Sequence, residues 1–165
     1  MIEVKTYLGS ISATRGNSLV ALDDFDGAID DPIHINGAIE LVIAGKRLIT
    51  LEMWDLVDQL WSYILTGLEA ALEGRRHCCY FPDQPIKLTI RPLQFRKYIE
   101  ISVTADAATC VASMATRTLV LVLSDEAKHC FQVLSRILGK PNYYVSQLAA
   151  IDRLRAHASQ LPDVK

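Results

Sequence analysis

The sequence predicts an α+β fold: one domain with a mainly antiparallel sheet of about six to eight strands, packed by a long central-sequence helix and two C-terminal helices. Two observations predict it. Several short segments alternate strictly between apolar and polar residues, and three longer ones repeat their apolar residues at three and four. A chain of 165 residues that is 50% hydrophobic and 22% charged has enough apolar surface for one core.

The first strand is Ile2 to Leu8, where Ile2, Val4, Thr6 and Leu8 share a face. Ser18 to Leu22 is a weaker strand candidate. Ala38 to Ile43 and Arg47 to Ile49 are apolar runs joined by Ala44-Gly45-Lys46, a connection that suits a hairpin. A helix is expected over Leu51 to Glu73, capped by Thr50 and stopped by Gly74, with Trp54, Val57, Leu60, Trp61, Ile64, Leu65 and Leu68 on its core face. Its opposite stripe, Glu52, Asp55, Gln59, Ser62, Thr66, Glu69 and Glu73 with Asp58 beside it, reads as a solvated acidic face. Ile86 to Arg91 and Tyr98 to Val103 alternate strictly and pair across the loop between them. Leu119 to Leu123 is expected as a continuous apolar strand, with a partner near Cys110 to Met114. The second helix should begin at Ser124 as N-cap and end at Gly139, and the third should run from about Val145 to Ser159. No internal repeat divides the chain.

Charge is unevenly distributed. Residues 1–80 hold 12 Asp and Glu against 6 Lys and Arg, and residues 81–165 hold 7 against 11. Such a field can steer a charged partner. The apolar stretch Leu51 to Leu72 is interrupted by five charged or amide side chains and does not suit a membrane span. Four cysteines without an export signal read as reduced thiols, which places the protein in the cytoplasm.

Two stretches invite a chemical reading. In "HCCYFPDQPI", an extended backbone turns His77 and Cys79 one way and Cys78 and Tyr80 the other, so both thiolates cannot join one tetrahedral metal site. His129 and Cys130, neighbours on a helix, diverge by about 100°. Pro82 and Pro85 then end one strand and begin the next around Asp83-Gln84. "LDDFDGAIDD" overlays part of a calcium loop through Asp24, Asp26, Gly27 and Ile29. It fails at both ends, where Leu22 and Ile33 replace the first ligand and the bidentate Glu. No metal or other cofactor is therefore expected. Glycine-rich phosphate loops, GxSxG and HExxH are missing. The basic residues Arg75-Arg76, Arg91, Arg96-Lys97, Arg153 and Arg155 are dispersed and the isoelectric point is near 6.1, which argues against nucleic acid.

The run "AIELVIAGKRLITLEMWDLVDQLWSYILTGLEAAL" followed by "YFPDQPIKLTIRPL" resembles small bacterial α+β proteins of the toxin-immunity type. The likeness spans Ala38 to Leu93 and assigns no residue a role. It implies a catalytically silent protein that neutralises a toxin domain in the cytoplasm. The expectation is thus a non-enzymatic domain that binds a basic partner protein, with no nucleic acid or membrane partner. Its site residues are Asp24, Asp26, Asp30, Asp31, Glu52, Asp55 and Asp58. The alternative is a small-molecule-binding or hydrolytic domain with His77, Cys79 and Tyr80 lining a pocket between sheet and helices.

Overall fold

Alternation in the first residues does build a strand, and the rest of a five-stranded antiparallel sheet forms around it. The computed structural model describes residues 1–12 and 16–164, with the side chains of all but 10–12, 16 and 17. Strand β1 (Ile2–Ser12) lies between β2 (Gly16–Ala21) and β3 (Asn36–Ile43), β3 also pairs with β4 (Lys46–Ile49), and the two-residue β5 (Asp55–Leu56) adds to the start of β3. Ala44 and Gly45 form the β3–β4 turn with φ of 51° and 78°, the left-handed pair that matches strand twist.

A second sheet follows helix α1 (Val57–Leu72) and has the order β6 (His77–Tyr80), β7 (Lys87–Leu93), β8 (Tyr98–Ala105), β9 (Ala108–Ala115). The expected pairing of the two alternating segments holds, with Leu88 opposite Val103 and Ile90 opposite Ile101. The sequence reading of one sheet is corrected to two, which meet where β4 passes β8 and β9. Helices α2 (Thr116–Leu138) and α3 (Val145–Ser159) complete the chain.

Helix α1 lies largely on the sheet that it does not follow, and α2 packs across both sheets. Helix α1 covers β6 and β7, where Gly67 allows close approach: a Cβ there would lie 2.6 Å from Ile90 Cδ1 and 3.3 Å from the His77 ring. Helix α2 lies on β1. Trp61, wholly buried, donates its Nε1–H to Thr6 Oγ1 at 3.2 Å, and Thr6 donates in turn to Glu126 at 2.8 Å, tying α1, β1 and α2 together. One continuous apolar core results, running from Leu8 through Trp61 and Ile90 to Phe131 and Ala158.

Two helix starts differ from expectation. Residues 51–53 form a single 3-10 turn without a Thr50 side-chain cap, and α1 begins only at Val57. The backbone between is committed elsewhere: Asp55 and Leu56 pair with Gly37 and Asn36, and Val57 N donates to Ile35 O at 2.9 Å. Trp54 is consequently half-buried rather than core. The apolar run Leu119 to Leu123 is helix, not strand. It belongs to α2, whose buried stripe Leu119, Leu123, Ala127, Cys130, Phe131 and Leu134 runs unbroken through Ser124. A short buried apolar run has the same appearance in either state.

Candidate functional site

The acidic loop is a consequence of strand order. Because β3 pairs with β1 rather than with β2, residues 22–35 must cross the end of the first sheet. Leu22 and Ile35 are buried at the two ends, and Phe25 and Ile29 are partly buried against the core. Anchoring the apolar residues leaves Asp23, Asp24, Asp26, Asp30 and Asp31 exposed. Three contacts fix the acids at the ends. Asp23 meets His129 Nε2 on α2 at 2.6 Å, and Asp31 accepts from Ile33 N at 2.9 Å and lies 2.7 Å from His34 Nδ1. The bond with His34 and then that from Ile33 N hold the Asp31 carboxyl below the usual range.

Under the loop, the N-terminal ends of α1 and α3 come together around Asp58. A cleft of about 330 Å³ opens there, walled by Ile33, Gln59, Ser62, Tyr143 and Gln147 with Asp58 at its base. Asp58 is 8% exposed; its carboxylate accepts from Gln59 N and from Tyr144 Oη, both at 2.9 Å. Loss of hydration raises its pKa, opposed by those two bonds. Burial and the neighbouring Asp58 charge push the Tyr144 hydroxyl up in turn, so it remains a donor. Two apolar side chains of its wall, Ile33 and Tyr143, are 64% and 42% exposed and stand beside the polar Gln59, Ser62 and Gln147. On the other side of the loop a cleft of about 450 Å³ carries Asp30, Asp31 and His34 over an apolar wall of Leu8, Phe25 and Ile29.

The structure separates the seven acidic candidates. Asp24, Asp26, Asp30, Asp31 and Glu52 are exposed, Glu52 accepting from Thr50 Oγ1 at 2.7 Å. Asp55 and Asp58 do not belong to a solvated face, which corrects the helical stripe drawn from spacing. Asp55 is 1% exposed and accepts from Leu56 N at 2.6 Å, Asp83 N at 3.0 Å and Gln84 N at 3.0 Å. It is the internal clamp of the turn between the two prolines, and Asp58 is the floor of a cleft. Tyr143, Tyr144 and Gln147 escaped the sequence reading; the signal available was a pair of adjacent tyrosines between Pro141 and the third helix.

The stretch "HCCYFPDQPI" resolves into β6 and a hairpin loop closed by Phe81 N to Ile86 O at 2.8 Å. His77 and Cys79 share the face turned to α1, Cys79 packing against the core, while Cys78 and Tyr80 are exposed. Burial raises the Cys79 pKa, so its thiol is held protonated. Among the described residues, no three His, Cys, Asp or Glu side chains converge in a way that would hold a metal ion. Among the described residues, no helix is long and apolar enough to cross a membrane. Compared with known proteins, the chain matches no family model and no curated protein.

Proposed function

We propose that this is a non-enzymatic binding domain for a basic protein, and that the partner seats on the acidic loop and the cleft beneath it. A cationic toxin domain neutralised in the cytoplasm is the most concrete partner. The observation that carries the reading is a buried carboxylate in the same cleft as two exposed apolar side chains: Asp58, with Ile33 and Tyr143 in the wall. A buried carboxylate is costly even with two hydrogen bonds, and a lysine or arginine inserted from the partner offsets that cost; the chain's own Lys140, 5.1 Å over the Tyr143 ring, shows that this wall accepts a cation. Asp24, Asp26, Asp30 and Asp31 are exposed on the loop that leads to Ile33. Their part is to speed encounter and exclude acidic competitors, while the anchor at Asp58 governs residence time.

The test is binding kinetics with a basic protein encoded beside this chain. Asp30→Lys with Asp31→Lys should slow association about tenfold at low salt and much less at high salt. Tyr143→Ala and Asp58→Asn should instead speed dissociation. A partner whose rates are indifferent to all four substitutions would sink the assignment of this face.

A further inference from the structure

At the far end of α1 and α3 from the acidic loop, cations that are dispersed in sequence come together. Arg96, Lys97, Arg117 and His157 line a cleft of about 270 Å³ whose apolar wall includes Leu72 and Leu161. Arg96 Nη1 donates to Leu72 O at 3.1 Å, and Arg117 Nη1 donates to Leu161 O at 3.2 Å and meets Asp163 Oδ1 at 3.1 Å. A guanidinium has five N–H donors, so both retain capacity for an incoming anion. The Asp163 carboxylate is 82% exposed and already seats an anionic group on Arg117 in a displaceable way.

Two further features fit the same ligand. Helix α2 starts at this cleft, with Thr116 N bonded to Lys97 O at 2.9 Å, no acidic residue in its first turn and no side-chain cap. Its positive end therefore adds to the cations instead of being neutralised within the chain. Beside it, Gln94, Phe95 and Arg96 stand consecutively in the left-handed region, with φ of 47°, 56° and 70°. That turn holds the Phe95 ring fully in water at the edge of the cleft, where it packs on nothing and presents a flat face.

We infer that this cleft binds a small phosphate-bearing ligand with an aromatic ring, of the nucleotide class, with phosphate on Lys97 and Arg117 and the ring on Phe95. Neither part alone accounts for the site. Cations without the exposed ring would suit any anion, and the ring without the cations would suit any apolar surface. The volume matches one such unit better than a polymer.

Isothermal titration calorimetry of the full chain with adenosine monophosphate, inorganic phosphate and adenosine tests this directly. Adenosine monophosphate should saturate one site, bind at least about tenfold tighter than either of its parts, and weaken with salt. Lys97→Glu and Arg117→Glu should each lower its affinity about tenfold. Lys97 is exposed, so its variant keeps the test valid if Arg117→Glu loosens the fold. Phe95→Ala should weaken the nucleotide several-fold and leave phosphate unchanged, whereas Asp163→Asn should tighten both. The inference is overturned if the nucleotide does not saturate, binds no better than phosphate, or is insensitive to Lys97→Glu. A short single-stranded oligonucleotide binding more than about tenfold tighter than the mononucleotide would also overturn it, by making the site part of a polymer surface.

Discussion

Asp58 is a carboxylate withdrawn from water with two hydrogen bonds and, among the described residues, no ion pair, and its behaviour with pH follows. Its pKa is raised above the aspartate value of 3.8, so the folded state holds the proton more tightly than the unfolded chain does. Stability from this group is fully present below pH 3.8 and is lost as pH rises through the raised value. Asp58→Asn keeps an acceptor for Tyr144 Oη and removes the charge. Its denaturation midpoint relative to wild type should therefore climb as pH goes from acid to neutral. Asp58→Ala should instead cost about 1–3 kcal/mol, because the Tyr144 hydroxyl and Gln59 N lose their acceptor. Equal pH slopes in wild type and Asp58→Asn would remove the buried charge from the account. Trp61 makes a second residue-scale test: Trp61→Ala should cost roughly 3–5 kcal/mol, and iodide should quench the half-buried Trp54 while sparing Trp61. Spacing alone placed Trp61 correctly and Asp58 wrongly. A tryptophan at a core position meets only the requirement of burial, whereas an aspartate is drawn inward by particular donors, here Tyr144 Oη at a sequence distance of 86.

At the scale of elements, Ser124 shows how a good local signal is overridden. Ser-Asp-Glu before an apolar period reads as a helix start. In the fold, Ser124 is wholly buried within α2 and its hydroxyl has no hydrogen-bond partner among the described residues. Ser124→Ala should consequently raise stability by up to about 1 kcal/mol in chemical denaturation, since it removes an unsatisfied buried hydroxyl. Loss of an N-cap would lower it by about the same amount, so the sign of the change decides between the two structures. The β7–β8 pair was legible because strict alternation has one meaning on a sheet with one buried face. The start of α1 was not, because β3 captures the backbone of residues 55–57 and no local rule reports a strand that pairs from twenty residues away. Asp55 is part of that capture. Asp55→Ala should release the amides of Asp83 and Gln84 to rapid hydrogen exchange and cost roughly 3 kcal/mol, while Glu52→Ala, on an exposed turn, should change stability by only a few tenths.

The whole molecule repeats a plan that its residues do not repeat. Four main strands and a helix are followed by four strands and a helix, yet the first sheet runs β2-β1-β3-β4 and the second is a simple meander. The difference in order is what creates the long acidic crossing at residues 22–35, and it leaves no register in which the two halves would align as sequence. Helices α1 and α3 run side by side in the same direction, joined by Tyr144 to Asp58 at one end and by Arg153 to Glu69 farther along. That alignment sets the Asp58 cleft at one end of the helix pair and the cleft of Arg96, Lys97 and Arg117 at the other. The packing of α1 on the second sheet and of α2 across both makes the halves interdependent. Residues 1–74 alone would expose the face of α1 that covers β6 and β7, and residues 75–165 alone would expose the face of α2 that covers β1. Neither piece should therefore unfold cooperatively in isolation, although both carry complete sets of strands. Produced together and divided at the exposed Gly74–Arg75 turn, they should purify as a one-to-one complex with a single thermal transition. A sharp transition in residues 1–74 alone would show that the first sheet can hold its own helix. The core would then be two cores, and α1 would no longer join the two sheets.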